Sequence, residues 1–140
     1  TGEAYHLNYG LSQDFFRNFQ MTIGEIAKET GLPESTLRYY ERKGLIRVAR
    51  DRAGRRAYPE SDIEWVRFIR RLKETGMPLR DIRRYADLRY TGDATMGERL
   101  DMLLLHREYV LEQQHKWAEY LQNLDDKINF YRQSIENKKS

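Results

Sequence analysis

A short stretch of the sequence combines side chains that bind phosphates and read base edges. Read at helical spacing, residues 34–43 place Leu37 and Tyr40 near one face. The other face carries hydroxyl, guanidinium and phenol groups, contributed by Ser35, Thr36, Arg38, Tyr39 and Arg42. Arginine binds phosphate and guanine, and hydroxyl groups bond phosphate oxygens. This face predicts a DNA-contacting surface, and Tyr40 is balanced between a core position and a DNA contact.

Local signals place that stretch in the second of two consecutive helices. Thr22 and Glu25 have the spacing of a capping box at the start of the first helix. Pro33 suits the first turn of the second helix, and Gly44 suits the left-handed residue just past its end. With the short turn between them, the two helices predict a helix-turn-helix whose recognition helix spans residues 34–43.

A short arginine-rich hairpin is predicted after the recognition helix. Residues 46–48 and 56–58 are strand candidates, and residues 51–54 can turn the chain between them. Five arginines lie along this segment: Arg47, Arg50, Arg52, Arg55 and Arg56. A small hairpin does not need so many positive charges for its own stability. The pattern favours phosphate contacts, assigned to Arg52 and Arg55, over ordinary exposed arginines.

Two further helices complete the predicted DNA-binding domain, residues 21–90. Ser61 and Glu64 have capping-box spacing, and apolar residues at helical spacing follow until Gly76. Pro78 begins a shorter helix that runs to about Tyr90. Residues 91–95 read as a loop.

A heptad pattern covers the rest of the chain and predicts a coiled-coil helix over residues 96–137. Twelve positions from Met96 to Ile135 alternate in steps of four and three, and ten of them are apolar. Such a helix must pair with another chain to bury its seam. The polar seam residues Arg107 and Gln114 either fix the register or line an effector pocket. The assigned dimerisation residues are Leu100, Leu103, Val110, Trp117, Leu121, Leu124, Ile128 and Tyr131.

Charge and composition limit the kinds of function expected for this chain. Residues 34–90 carry 16 Lys/Arg against 9 Asp/Glu, which favours a nucleic-acid surface. There is no cysteine, which excludes disulfides and thiolate metal sites and fits a cytoplasmic protein. No apolar run could span a membrane, and no catalytic constellation is visible, so we expect neither an enzyme nor a cofactor or metal site. Residues 1–20 are an N-terminal extension that is vector-derived, an upstream translated segment or a packing arm.

The motifs taken together resemble one known family. Residues 36–41, Thr-Leu-Arg-Tyr-Tyr-Glu, followed by Gly-Leu-Ile at residues 44–46, resemble the signature of MerR-type transcription regulators. Arg52, Gly54, Arg56 and Tyr58 resemble the family's wing, and residues 76–79 resemble its second helix-pair turn. The resemblance implies DNA contacts by Arg38, Tyr39, Arg56 and Tyr58, with Ser35 and Thr36 near base edges.

The same resemblance implies a mechanism. Members pair through an antiparallel coiled coil, bind promoters with a long spacer, and bend and untwist the DNA so that RNA polymerase can engage it. Residues 65–69, 76–78 and 92–95 resemble the branch associated with aldehyde and thiol stress. Arg71 stands where that branch is expected to carry its sensor cysteine.

The prediction is therefore a mainly α protein, a winged helix-turn-helix domain followed by a long dimerisation helix. Its expected partners are promoter DNA, a second copy of itself and RNA polymerase, with no membrane. Two rivals stay open. One is a simple repressor or architectural DNA binder without an inducer. The other is a coiled-coil interaction module whose basic face meets an acidic protein.

Overall fold

The computed structural model describes residues 20–139, and these residues are mainly helical. The boundary between two compact units lies between Asp93 and Ala94. Among the described residues, the first unit contains four helices and a two-stranded hairpin, and a single long helix dominates the second. The elements are α1 (Ile23–Thr30), α2 (Glu34–Arg42), β1 (Ala49–Arg50), β2 (Arg56–Ala57), α3 (Asp62–Glu74), α4 (Leu79–Thr91), a 3-10 turn (Asp93–Thr95) and α5 (Met96–Lys139).

Helices α1 and α2 form the predicted helix-turn-helix, with α2 as its second helix. The capping box is confirmed, because Thr22 accepts the backbone N–H of Glu25 and Glu25 accepts that of Thr22. Pro33 is the N-cap of α2, one position outside the predicted first turn. Gly44 has a φ of 76°, the left-handed conformation that ends the helix without a Cβ clash.

The hairpin forms, but its first strand lies later than predicted. β1 pairs antiparallel with β2, with Ala49 opposite Ala57, so residues 46–48 are not strand. The physical reason is burial, because Ile46 enters the core immediately after the helix-ending glycine. At the turn, the carboxylate of Asp51 accepts the backbone N–H groups of Ala53 and Arg55.

Helix α3 begins without the predicted capping box. Ser61 already has helical backbone angles and makes no capping hydrogen bond. The helix grows instead from a preceding turn in which the Asp62 N–H bonds the carbonyl of Pro59. Asp62 is buried, its Oδ2 has no hydrogen-bond partner among the described residues, and burial raises its pKa to about 6 despite the opposing influence of Arg89.

The core of the first unit joins both helix pairs around Trp65. Its indole Nε1 donates a 3.1 Å hydrogen bond to the carbonyl of Leu45, just past the recognition helix. Its ring stacks on Tyr85 of α4 at 5.8 Å, and Phe68 packs against the same tyrosine. The indole therefore fixes the second helix pair against the end of α2.

The second unit contains α5, which is continuous over 44 residues and contains the predicted coiled-coil segment. The predicted loop at residues 91–95 is shorter than expected, because α4 runs to Thr91 and a 3-10 turn occupies Asp93–Thr95. No residue of α5 is buried in the single chain. Across residues 20–139, no helix combines the length and apolar character needed to cross a membrane.

Candidate nucleic-acid interface

Helix α2 turns one face into the core and the other outward. Leu37 and Tyr40 are buried, and burial raises the pKa of the Tyr40 phenol. Of the two positions predicted for Tyr40, its ring occupies the one in the core. On the outward face, Ser35, Arg38 and Arg42 are exposed, and Thr36 and Tyr39 are partly exposed.

Three cations surround the ring of Tyr39. Arg42 and Lys43 lie 5.5 and 5.7 Å from the ring centroid, and the ammonium of Lys73 lies 4.8 Å away. No carboxylate forms an ion pair with these three residues within the part of the chain described. The result is a compact positive cluster at the end of α2. Sequence reasoning missed Lys73, because only the packing of α3 on α2 brings it there.

Glu41 connects the recognition helix to the hairpin. Its carboxylate accepts a 2.7 Å hydrogen bond from Nε of Arg56 and a 3.1 Å bond from Arg50. One carboxylate in the last turn of α2 thus holds one arginine from each strand. Sequence reasoning also missed this role, although an acid followed by an arginine-rich hairpin was a usable signal. The predicted DNA contact Arg56 is therefore engaged inside the protein.

The remaining arginines of the hairpin differ in how they are held. Arg55 pairs with Asp51 at 3.2 Å, and Arg47 lies 3.6 Å from Asp87. The Arg55 N–H bond is the largest cause of a lowered pKa for Asp51. Four of the five arginines therefore have carboxylate partners within the protein. Arg52 is exposed and has no hydrogen bond or ion pair to another described residue.

Tyr58, predicted to contact DNA, lies in the core instead. Its side chain has no exposed surface, and its hydroxyl finds no hydrogen-bond partner among residues 20–139. Its backbone pairs with Met21 in both directions, at 2.6 and 2.8 Å. Burial raises the pKa of its phenol. Tyr58 therefore anchors the base of the hairpin to the start of the domain, and its side chain is withdrawn from any surface.

The assigned dimerisation residues follow one side of α5. Trp117 is 71% exposed and Leu124 is 61% exposed, and both are large apolar side chains. Leu103 and Val110 are half-buried, while the other assigned residues are exposed, namely Leu100, Leu121, Ile128 and Tyr131. A single chain thus leaves most of its predicted seam in contact with water.

No cluster of three or more metal-ligating side chains occurs within residues 20–139. The outward face of α2 carries cations, hydroxyl groups and one aromatic ring. Such groups bind phosphates and base edges.

Comparison with known proteins shows the family to which this chain belongs. The model described as "MerR HTH family regulatory protein" matches residues 21–88, and that described as "MerR, DNA binding" matches residues 63–127. A helix-turn-helix transcriptional regulator from Haemophilus influenzae is 35% identical over 81% of this chain and 84% of its own length. The chain belongs to the MerR family of transcription regulators.

Solved structures of MerR proteins share the fold. The crystal structure of HiNmlR, a MerR family regulator lacking the sensor domain and bound to promoter DNA, aligns with a TM-score of 0.72 at 35% identity. It covers 81% of this chain and 91% of that one. A MerR family regulator from Listeria monocytogenes aligns with a TM-score of 0.75 at 30% identity, covering 79% of this chain and 85% of its own. The predicted family, fold class and role in transcription are confirmed.

Proposed function

We propose that this MerR regulator acts as a homodimer that binds a pseudo-palindromic promoter element, distorts the DNA and thereby activates transcription by RNA polymerase. The observation that carries the proposal is the division of α2 into two faces. Leu37 fixes one face in the core, while Arg38 and Arg42 point outward beside a hairpin that Glu41 holds in place. A recognition helix presented in this way can enter the major groove.

The contacts divide into base readout and phosphate binding. Ser35, Thr36 and Arg38 lie in the first half of α2, the part of a recognition helix that reads base edges. The cluster of Tyr39, Arg42, Lys43 and Lys73 lies at its other end and suits phosphates of the flanking backbone. At the hairpin tip, Arg52 and Arg55 extend the phosphate contacts, and Arg56 supports the hairpin through Glu41.

The second copy is needed because α5 cannot bury its own seam. A helix of 44 residues is roughly 66 Å long at 1.5 Å per residue. Heptad side chains along this length bury themselves by pairing with an identical helix. A two-fold pair presents two recognition helices, which matches a pseudo-palindromic site with two half-sites. The expected arrangement of the pair is antiparallel. The proposed boundaries are residues 21–90 for the DNA-binding domain, 91–95 for the loop and 96–137 for the coiled-coil helix.

Activation follows from distortion of the bound DNA. Bending and untwisting a promoter costs several kcal/mol, and phosphate contacts on both half-sites can offset this cost. A spacer that is too long for RNA polymerase is effectively shortened when the DNA is underwound and bent. The family relationship supports this mechanism, and the basic surface of the first unit supports the binding step.

The decisive experiment uses the promoter beside the gene. Transcription in vitro is measured from the native promoter and from one whose spacer is shortened to the length that RNA polymerase prefers. The regulator should raise transcription from the native spacer and lower it from the shortened one. Lowered transcription from both promoters would identify a simple repressor. Absence of any mobility shift with the promoter would favour a protein-interaction module.

Arg38→Ala is the matched control for that experiment. Arg38 is exposed and pairs only loosely with Glu34 at 3.9 Å, so its removal should leave the melting temperature nearly unchanged. Loss of both DNA binding and regulation by this folded variant would tie the effect to α2. A fall in thermal stability as large as the loss of affinity would contradict a contact role.

A further inference from the structure

An arginine-lined cleft lies between the C-terminal end of α1 and the outer face of α3. Its volume is about 270 Å³, and it is lined by Thr30, Arg67, Arg70, Arg71 and Glu74. The four α3 residues recur at steps of three, one and three, so they lie on one face of that helix. The lining contains three guanidinium groups and one carboxylate, so its net charge is positive. None of these residues belongs to the DNA surface described above.

Two of the three guanidinium groups are held in place by the protein. Arg67 donates to the backbone carbonyl of Glu29 at 2.7 Å and to the carboxylate of Glu64 at 2.9 Å. Arg70 donates through Nε to Glu74 at 2.8 Å. A guanidinium group has five N–H donors, so each of these residues retains unused donors. Because both are already oriented, a bound anion would not have to order them.

The third guanidinium group, that of Arg71, is available to bind a ligand. The Arg71 side chain is exposed and makes no hydrogen bond or ion pair with another described residue. The hydroxyl of Thr30 already donates to the carbonyl of Ile26 at 2.8 Å, so Thr30 shapes the wall rather than donating into the cleft. The available donors are therefore arginine N–H groups alone, which select an anion with several acceptor oxygens.

We propose that this cleft binds a phosphate group, with Arg71 and Arg67 as its principal donors. Arginine pairs with phosphate in a two-pronged geometry that a single point charge does not offer. The volume lies just below the range of roughly 300–1,000 Å³ typical of ligand sites, which suits a phosphate or a small phosphate ester. The phosphate can come from a free small molecule or from the DNA backbone. If DNA supplies it, the inference rests on the proposed function.

The first arm of the test measures binding of inorganic phosphate in the absence of DNA. Calorimetric titration of the full chain is compared for the unmodified protein, Arg71→Gln and Arg80→Gln, with sodium chloride holding ionic strength constant. Arg80 removes the same charge from a position that is 88% exposed and outside the cleft lining. We expect saturable binding that Arg71→Gln weakens about tenfold, because a charged hydrogen bond is lost, and that Arg80→Gln changes less than about twofold.

The second arm measures the salt dependence of operator binding for the same three proteins. If the DNA backbone supplies the phosphate, Arg71→Gln should reduce the slope of log affinity against log salt by about two units per dimer, while Arg80→Gln leaves it unchanged. A selective effect of Arg71→Gln in either measurement supports the site. An effect on phosphate titration points to a free phosphate, and an effect on the salt slope points to the DNA backbone. The proposal is overturned if phosphate binding is absent or identical in all three proteins and the slopes agree. The first arm contains no DNA, so its result is independent of whether the protein regulates a promoter.

Discussion

Glu41 and Arg56 form the shortest side-chain link between the recognition helix and the hairpin. The carboxylate of Glu41 lies 2.7 Å from Nε of Arg56 and also accepts a bond from Arg50 on the other strand. Both partners of the shorter bond are partly screened from water, with 21% and 30% of their side-chain surfaces exposed. The carboxylate of Glu41 therefore helps to fix the hairpin beside α2, in addition to the backbone pairing of Tyr58 with Met21.

A double-mutant cycle between Glu41→Gln and Arg56→Gln measures that link. We expect a coupling of about 1 kcal/mol in the free energy of unfolding, since the pair is only partly buried. Glu41→Gln should also weaken DNA binding, although Glu41 carries a charge that repels phosphate. The matched pair Asp51→Asn and Arg55→Gln lies at the exposed hairpin tip and should show weaker coupling. A stronger DNA affinity in Glu41→Gln would mean that the acid opposes binding rather than positioning the wing.

Arg52 should be the stronger phosphate contact of the hairpin tip. Because Arg52 has no carboxylate partner among the described residues, it is available to DNA without breaking an ion pair. Arg52→Ala should flatten the plot of log affinity against log salt by about two units per dimer and weaken specific and random DNA alike. Arg55→Ala should have a smaller effect, because Arg55 must first leave Asp51. Loss of discrimination at an unchanged salt slope would show that Arg52 reads bases.

Lys73 should contribute to DNA affinity from the second helix pair. Lys73→Met keeps an unbranched side chain only one atom shorter and removes the ammonium that lies over the Tyr39 ring. We expect operator affinity to fall about fivefold to tenfold at low salt and the melting temperature to stay the same or rise, because three crowded cations become two. Tyr39→Phe retains the ring that the cations contact, so it separates the role of the ring from that of the hydroxyl. An unchanged affinity in Lys73→Met would remove α3 from the DNA surface.

Leu121→Asp should dissociate the dimer. The substitution places a charge at the centre of the apolar seam, where pairing would bury it without a partner. Asn123→Asp adds the same charge two residues away, at an outward heptad position, and should leave association unchanged. Sedimentation of both variants checks the register. Dissociation by Asn123→Asp with an intact Leu121→Asp dimer would show that the seam lies elsewhere on α5.

Asp62 should make the first unit less stable as pH rises through the weakly acidic range. The ordinary pKa of aspartate is about 3.9, and burial raises that of Asp62 to about 6. Between these values the folded state holds a proton that the unfolded state has lost, so stability falls as pH rises from about 4 to about 6, by at most about 3 kcal/mol. The stability is fully present below the lower value and lost above the higher one.

Asp62→Asn tests this dependence because it removes the charge while keeping the shape. It should raise the unfolding free energy at pH 7.5 by about 1–2 kcal/mol and remove most of the slope between pH 4 and 6. Asp101→Asn removes the same charge from an exposed position on α5 and should change little. Chemical denaturation at several pH values checks both variants. Equal pH profiles for Asp62→Asn and the unmodified protein would assign the slope to other groups.

The sequence predicted those features that depend on short-range signals. The Thr22 capping box, the left-handed Gly44 and the helical conformation of α5 each depend on residues a few positions apart, and all three are present. The same kind of signal failed at Ser61, where an earlier turn had already started the helix. A local pattern predicts a cap only when the preceding backbone leaves the helix unformed.

Features that depend on tertiary packing were not predictable in this way. Tyr58 was predicted to contact DNA and is buried, because its backbone, directly after β2, pairs with that of Met21. Lys73 reaches Tyr39 only through the packing of α3 on α2. The pairing of Glu41 with both strands required the hairpin register, and the sequence analysis had placed the first strand at residues 46–48 instead of 49–50. Long-range geometry decided each of these cases.

Because the apolar seam of α5 is exposed in a single chain, the stability of the protein should depend on its concentration. In the proposed dimer, pairing is a second-order process, so its yield depends on the concentration of chains. At low concentration, the unpaired chains have a DNA-binding domain and an α5 helix whose exposed apolar side chains proteases and chaperones can reach. As synthesis proceeds, mass action removes this vulnerable form and makes two-site recognition possible. Promoter occupancy should therefore rise more steeply than in proportion to the amount of protein.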